Sequence, residues 1–248
     1  MIETRALKKS FGPQRVLSGV DLRIESGEAV VIIGRSGGGK SILLKHLIGL
    51  LQPDEGDVLI DGESISGMNE RQLLRVRSKF GMLFQGAALF DSLNVADNVA
   101  FALRRLAKLT EKEIAIKVAA TLDMVDLAGI EKKMPSELSG GMRKRVGLAR
   151  AVVYQPAFVL YDEPTTGLDP IASDSIDQLI IRVWERLKVT TVVVTYDLRS
   201  AFRIGQRILM LHQGQIYFAG TPEETKATTD PIVQRFVAGV ADPKETLF

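Results

Sequence analysis

Ala29-Val30-Val31-Ile32-Ile33-Gly34-Arg35-Ser36-Gly37-Gly38-Gly39-Lys40-Ser41 is the stretch on which the fold turns. Its opening aliphatic run is too short for a helix and too uniformly apolar for a half-exposed strand, so it reads as a strand buried on both faces. The glycine-rich segment behind it ends in Lys40-Ser41 and runs into an apolar helical stretch, Ile42 to Leu50. Strand, glycine loop and helix in this order are the phosphate-loop pattern. Glycines let successive backbone N–H groups converge on an anion, and the helix beginning near Lys40 adds the positive end of its dipole. In such a loop, formed here by Gly34, Arg35, Ser36, Gly37, Gly38 and Gly39, the ammonium of Lys40 reaches the β- and γ-phosphates and the Ser41 hydroxyl is offered to Mg2+. An ordinary glycine-rich turn would not require both the strand before it and the helix after it.

Phe158 to Tyr161 and Thr190 to Val194 repeat the short, doubly buried pattern, which places a parallel-rich sheet at the centre of an α/β fold. Val20 to Ile24 instead alternates, and Ile2 to Leu7 does so more weakly, predicting an antiparallel N-terminal β-subdomain. Helical periodicity runs over Val95 to Leu106, Glu111 to Met124, Met142 to Val153 and Ser173 to Leu187. The first three of these follow one another between strands and predict an α-helical subdomain, about residues 86–155, inserted in the core. Residues 1–220 read as one domain. Residues 221–248 read as a C-terminal helix, opened by Thr221-Pro222-Glu223-Glu224, and a second amphipathic stretch around Ile232, Phe236 and Val240. The end, Asp242 to Phe248, reads as a loose tail or a partner-docking arm.

Composition narrows the function. With 248 residues, 46% of them hydrophobic, the chain buries a core without covalent staples, and it contains no cysteine. Disulfides, thiolate zinc sites, iron–sulfur ligation and a cysteine nucleophile are thereby excluded. Lys and Arg number 32 against 30 Asp and Glu, a net charge of +2 that does not advertise a nucleic-acid surface. No apolar run approaches the ~18 residues that span a bilayer, so the chain is not expected to cross a membrane itself. The basic cluster Arg143, Lys144, Arg145 and Arg150 falls on a helix that scatters it over several faces, since neighbours in sequence do not share a helix face.

A nucleoside triphosphatase also needs a carboxylate for the metal and a base for water at the end of a neighbouring strand. Phe158-Val159-Leu160-Tyr161-Asp162-Glu163 supplies both: Asp162 can face Mg2+ while Glu163 faces the attacking water. In Leu138-Ser139-Gly140-Gly141-Met142, Ser139 and the two glycines then precede a helix, so that their N–H groups make a second anion site.

That segment, with Pro135 before it and Arg145, Gly147, Leu148, Ala149 and Arg150 after it, resembles the signature sequence of ABC ATPases. The resemblance implies two protomers with two ATP molecules between them, Ser139, Gly140 and Gly141 of each closing on the ATP of the other. It also implies that Phe11 stacks on adenine, that Gln85 touches Mg2+ and senses a membrane partner, and that Asp169 in Gly167-Leu168-Asp169-Pro170 lies at the dimer interface. Where the family has a histidine beside the catalytic glutamate, this chain has Tyr196, a longer side chain without a ring nitrogen. Binding of ATP and Mg2+ is expected to survive this change, with hydrolysis slowed about 10- to 1,000-fold. His46 and His212 stand elsewhere in the sequence and read as structural.

Phe80 to Leu93 and the Met142-Arg143-Lys144-Arg145 run are similar to the ATPases of Mce-type, Mla-like phospholipid transporters. This implies permease subunits in the inner membrane, contacted by residues 86–100 from its cytoplasmic face, and an Mce-type lipid-binding protein beyond. The competing assignments are the ATPase of a polar-solute transporter and a soluble ABC ATPase acting as an iron–sulfur assembly factor.

Overall fold

The structure, a computed structural model, describes residues 1–241. In chain order the elements are β1 (Ile2–Phe11), β2 (Gln14–Ile24), β3 (Ala29–Ile33), α1 (Lys40–Leu47), β4 (Glu55–Ile60), β5 (Glu63–Ser64), α2 (Glu70–Arg77), β6 (Phe80–Leu83), α3 (Val95–Leu106), α4 (Glu111–Met124), α5 (Gly140–Val152), β7 (Phe158–Asp162), α6 (Pro170–Leu187), β8 (Thr190–Thr195), α7 (Leu198–Ile204), β9 (Arg207–His212), β10 (Gln215–Gly220), α8 (Pro222–Ala227) and α9 (Pro231–Ala238). They build an α/β fold with two sheets. One is four-stranded and antiparallel, in the order β2-β1-β4-β5; the other has the order β10-β9-β3-β8-β7-β6 and is parallel except for the β9–β10 hairpin.

Side-chain alternation on doubly buried strands puts successive residues into different cores. Val31 and Ile33 of β3, Val159 and Tyr161 of β7 and Val193 of β8 join one core with α3, α4, α5 and α6. Val30, Ile32, Phe158, Leu160, Val192 and Val194 join the other, shared with α1, α2 and the antiparallel sheet. The parallel register Ile33↔Thr195 and Asp162↔Val194 brings the carboxyl ends of β3, β7 and β8 together, and the functional loops leave from that edge.

Several boundaries differ from the sequence reading. α1 ends at Leu47 because Gly49 turns the chain with φ 65°. The signature glycines do not precede a helix; Gly140 and Gly141 are the first residues of α5, and Ser139 is its cap. Asp242 to Phe248, the segment read as tail or docking arm, lies outside the described residues.

One buried acid lies away from this edge. Asp177 of α6 is 3% exposed; it accepts a 2.8 Å hydrogen bond from the Ser200 hydroxyl of α7 through Oδ2, while Oδ1 has no partner. Burial, helped by the nearby Asp197 charge, pushes its carboxyl up to about 6. The folded state therefore binds this proton more tightly than the unfolded chain, and stability falls as pH rises from about 4 to about 6. Asp177→Asn keeps the acceptor for Ser200 and removes the charge. It is expected to raise Tm by about 2–4 °C at pH 7.5, a gain that disappears near pH 4; an equal gain at both pH values in a thermal melt would contradict the assignment.

Candidate active site

β3 delivers the chain directly into the loop 34–39, and α1 begins at Lys40. Gly34 has φ 155°, and a Cβ there would stand 2.5 Å from the carbonyl oxygen of Leu211, so the turn off β3 admits no side chain. Gly39, with φ 96°, caps α1 in a left-handed conformation and aims the helix N-terminus into the loop. Arg35, Ser36 and Gly37 are exposed, whereas Lys40 is 4% exposed. The Lys40 ammonium donates to the carbonyls of Gly34 (2.9 Å) and Arg35 (3.0 Å), and it pairs with Glu163 Oε1 at 3.3 Å. It is thus already held where an anion entering the loop would meet it.

β7 presents the two acids. Asp162 Oδ1 accepts a 2.6 Å hydrogen bond from the Ser41 hydroxyl at the first turn of α1. Glu163 is turned away by a left-handed backbone, φ 47°, an expense of about 1–2 kcal/mol for a residue with a side chain. It is held there by its N–H on Val194 O at 2.9 Å and by the Tyr196 N–H on Oε2 at 3.3 Å. Adjacent acids therefore point to different tasks, one toward the Ser41 hydroxyl and one toward Lys40.

The remaining sequence candidates lie at the rims. Phe11 ends β1 with its ring 45% exposed rather than packed in the core, and the Lys9 ammonium stands 5.7 Å from the ring centre. Gln85 is exposed two residues beyond the end of β6. Ser139 is exposed and accepts from Met142 N–H at 3.3 Å. Within one chain these three do not gather with Lys40 and Glu163 through any direct hydrogen bond. Asp169 caps α6, accepting from the N–H groups of Ile171 and Ala172, and beside it Ile171 stands 83% exposed. Tyr196 is 49% exposed and lines a cavity of about 560 Å3 with Arg35, His212, Met210 and Phe236.

His46 is buried, its Nδ1 at 2.7 Å from Ile42 O, and burial pushes its ring below the ordinary histidine range. It is structural, as read. His212 makes an edge contact with Tyr217 but also shares the Tyr196 cavity, a proximity created by β9 running beside β3 and invisible in sequence spacing. Two further residues are buried with partners that the sequence reading did not supply. Asn98 is fully buried and holds the 90–94 loop through four hydrogen bonds, to Phe90 N–H and to the carbonyls of Phe90, Leu93 and Asn94. Lys144 is buried beside Asp162 and Glu163; burial pushes its ammonium below the usual lysine range and the two carboxylates oppose that.

The profile of the ABC transporter family matches residues 17–166, more than half of the chain. The chain belongs to the ABC transporter family. As a member it is an ATP-binding ABC-type ATPase. Among its relatives is the probable ribonucleotide transport ATP-binding protein mkl of Mycobacterium leprae, 43% identical over 96% of this chain and 69% of that protein. The intermembrane phospholipid transport system ATP-binding protein MlaF of Escherichia coli K12 is 37% identical over 98% of this chain and 90% of its own. Among solved structures, the ABC cassette MJ0796, dimeric in a post-hydrolysis state with ADP and Pi, superposes with a TM-score of 0.83 at 32% identity, over 90% of this chain and 99% of that one.

Proposed function

We propose that this ABC ATPase is the peripheral ATP-hydrolysing subunit of a lipid transporter, working as a homodimer on the cytoplasmic face of the inner membrane. The observation that carries the catalytic part is the triangle Lys40–Glu163–Tyr196 N–H beside the Ser41–Asp162 pair. Lys40 and the N–H groups of Gly34, Arg35, Ser36, Gly37, Gly38 and Gly39 bind the phosphates, and Phe11 stacks on the base. Ser41, Asp162 and the amide of Gln85 supply hard oxygens that suit Mg2+, an ion that keeps waters and phosphate oxygens in its shell. The Ser41 hydroxyl lying 2.6 Å from Asp162 Oδ1 fits that ion, which would withdraw charge from the phosphates. Glu163 holds and deprotonates water, and the Tyr196 N–H keeps its carboxylate aimed.

A single chain leaves Ser139, Gly140 and Gly141 facing outward, which suits closure on a partner's ATP across Asp169 and the exposed Ile171. The permease is assigned to the apolar groove formed by Met82, Phe84, Ala88, Phe90, Phe101 and Tyr154. Phe90 and Phe101 are 42% and 36% exposed with ring centres 4.7 Å apart and the guanidinium groups of Arg150 and Arg105 over them, a partly exposed aromatic pair in the segment that follows Gln85. A lipid cargo is favoured by the name of the MlaF relative and an Mce-type partner by the resemblance of the 80–93 segment, while the name of the mkl relative points to nucleotides. Detergent-solubilised membranes distinguish these readings. Recovery of a permease together with an Mce-domain protein is expected; recovery of soluble assembly proteins alone would overturn the assignment.

Tyr196 meets Glu163 through its backbone only, so its ring adds no hydrogen bond to the carboxylate. Tyr196→His is expected to raise ATP turnover at least about tenfold, read in a steady-state phosphate-release assay. An unchanged rate would show that the phenol serves as well as an imidazole.

A further inference from the structure

α5 is joined to the rest of the site by more than its signature cap. Lys144, Gly147 and Ala151 lie at spacings that share one helix face, and that face rests on β6 and the loop behind it. The approach is close: a Cβ on Gly147 would come 2.8 Å from Leu83 Cδ1 and 3.3 Å from the Ala87 carbonyl oxygen. From this face the Lys144 ammonium donates to the backbone carbonyl of Gln85 and, at 3.4 Å, to that of Glu163. One turn and a half further on, Arg150 donates to the carbonyls of Ala87 (2.8 Å) and Ala88 (2.7 Å).

The backbone held by these bonds is strained. Ala87, Ala88 and Glu163 all have left-handed conformations, with φ 61°, 49° and 47°. Residues with side chains persist there only where the surroundings over-determine them. A buried ammonium is itself costly unless its donors are satisfied, and here its acceptors are the carbonyls of two strained segments. An apolar side chain would fill the same space without the cost, so packing does not explain a lysine at 144.

We propose that Lys144 is a positioning residue: its ammonium ties the Gln85 loop and the Glu163 strand end to the helix carrying Ser139, so that these three parts of the site move as one body. A motion of α5 on engaging the partner's nucleotide then shifts Gln85 and the Glu163 backbone with it. The functional consequence rests on the roles proposed above for Gln85, Glu163 and Ser139; the mechanical link does not.

Hydrogen–deuterium exchange of the nucleotide-free full chain tests the link directly. Ala87 N–H is bonded to Phe84 O at 2.9 Å and Thr166 N–H to Glu163 O at 3.3 Å, so each reports on one segment. In Lys144→Met both are expected to exchange about tenfold faster than in the parent, with the amides of β3 and α5 unchanged. In ATP turnover, kcat is expected to fall about 10- to 100-fold with KM within about threefold, and Lys144→Gln, which retains a donor, to recover part of both effects. Unchanged exchange at Ala87 and Thr166, or exchange raised equally along the whole of α5, would overturn the proposal. Should Lys144→Met fail to fold, the same comparison is made with Lys144→Gln. A parent protein without ATPase activity would remove the proposed function, and the exchange result would still decide the role of Lys144.

Discussion

Replacing Glu163 by glutamine is expected to lower ATP turnover by about 100- to 1,000-fold while leaving nucleotide binding within a few-fold of the parent. The glutamine amide oxygen can still accept from the Tyr196 N–H, and the left-handed backbone at 163 does not depend on the side-chain charge. What disappears is the basic carboxylate at 3.3 Å from Lys40. A protein that binds ATP without cleaving it should accumulate as a closed dimer, because the contacts that hold the halves together include the γ-phosphate that ADP lacks. Size-exclusion chromatography with ATP and Mg2+ should show the variant shifted to the dimer and the parent returning to monomer. Turnover reduced less than tenfold would move the base to another residue.

Lys40→Met is expected to act one step earlier, on binding. An ammonium with two loop carbonyls and one carboxylate around it is placed for charge-assisted contacts to the β- and γ-phosphates. Losing them is expected to weaken ATP binding about 100-fold or more, about 2.7 kcal/mol. The change also removes the ion-pair partner of the Glu163 carboxylate, which is 9% exposed, so the nucleotide-free variant is expected to melt below the parent. Binding of a fluorescent ATP analogue and a thermal melt without nucleotide separate the two effects. Affinity within threefold of the parent would show that backbone N–H groups alone carry the phosphates.

These residues differ in how far their placement could be read in advance. The placement of Lys40, Ser41, Asp162 and Glu163 is legible because local motifs carry it: a buried strand, a loop of fixed length and a helix start position them whatever surrounds them. Even so, the left-handed φ at Glu163, which separates its direction from that of Asp162, leaves no trace in Tyr161-Asp162-Glu163-Pro164. The basic run Arg143-Lys144-Arg145 and Arg150 was legible as scattered, and the structure adds the destinations. Arg143 donates to Leu138 O, Arg145 to Val125 O and Asp126, and Arg150 to Ala87 and Ala88. The burial of Asn98 and Lys144 was missed because a polar residue on a helix reads as exposed until the partners of its donors are known.

The α/β class, the glycine loop between strand and helix, the paired acids at a strand end and the antiparallel N-terminal sheet can all be read from the residues alone. Those follow from the period of burial along the chain and from short-range geometry, which a few residues suffice to specify. That β4 and β5 complete this sheet, and that His212 shares a cavity with Tyr196, emerges from the packing of the elements. So does the bridge that Lys144 makes between Gln85 and Glu163, residues that lie 59 and 19 positions away. Such contacts arise from the order of strands in a sheet and from the close approach of a glycine-bearing helix to a strand, neither of which any local stretch of sequence contains.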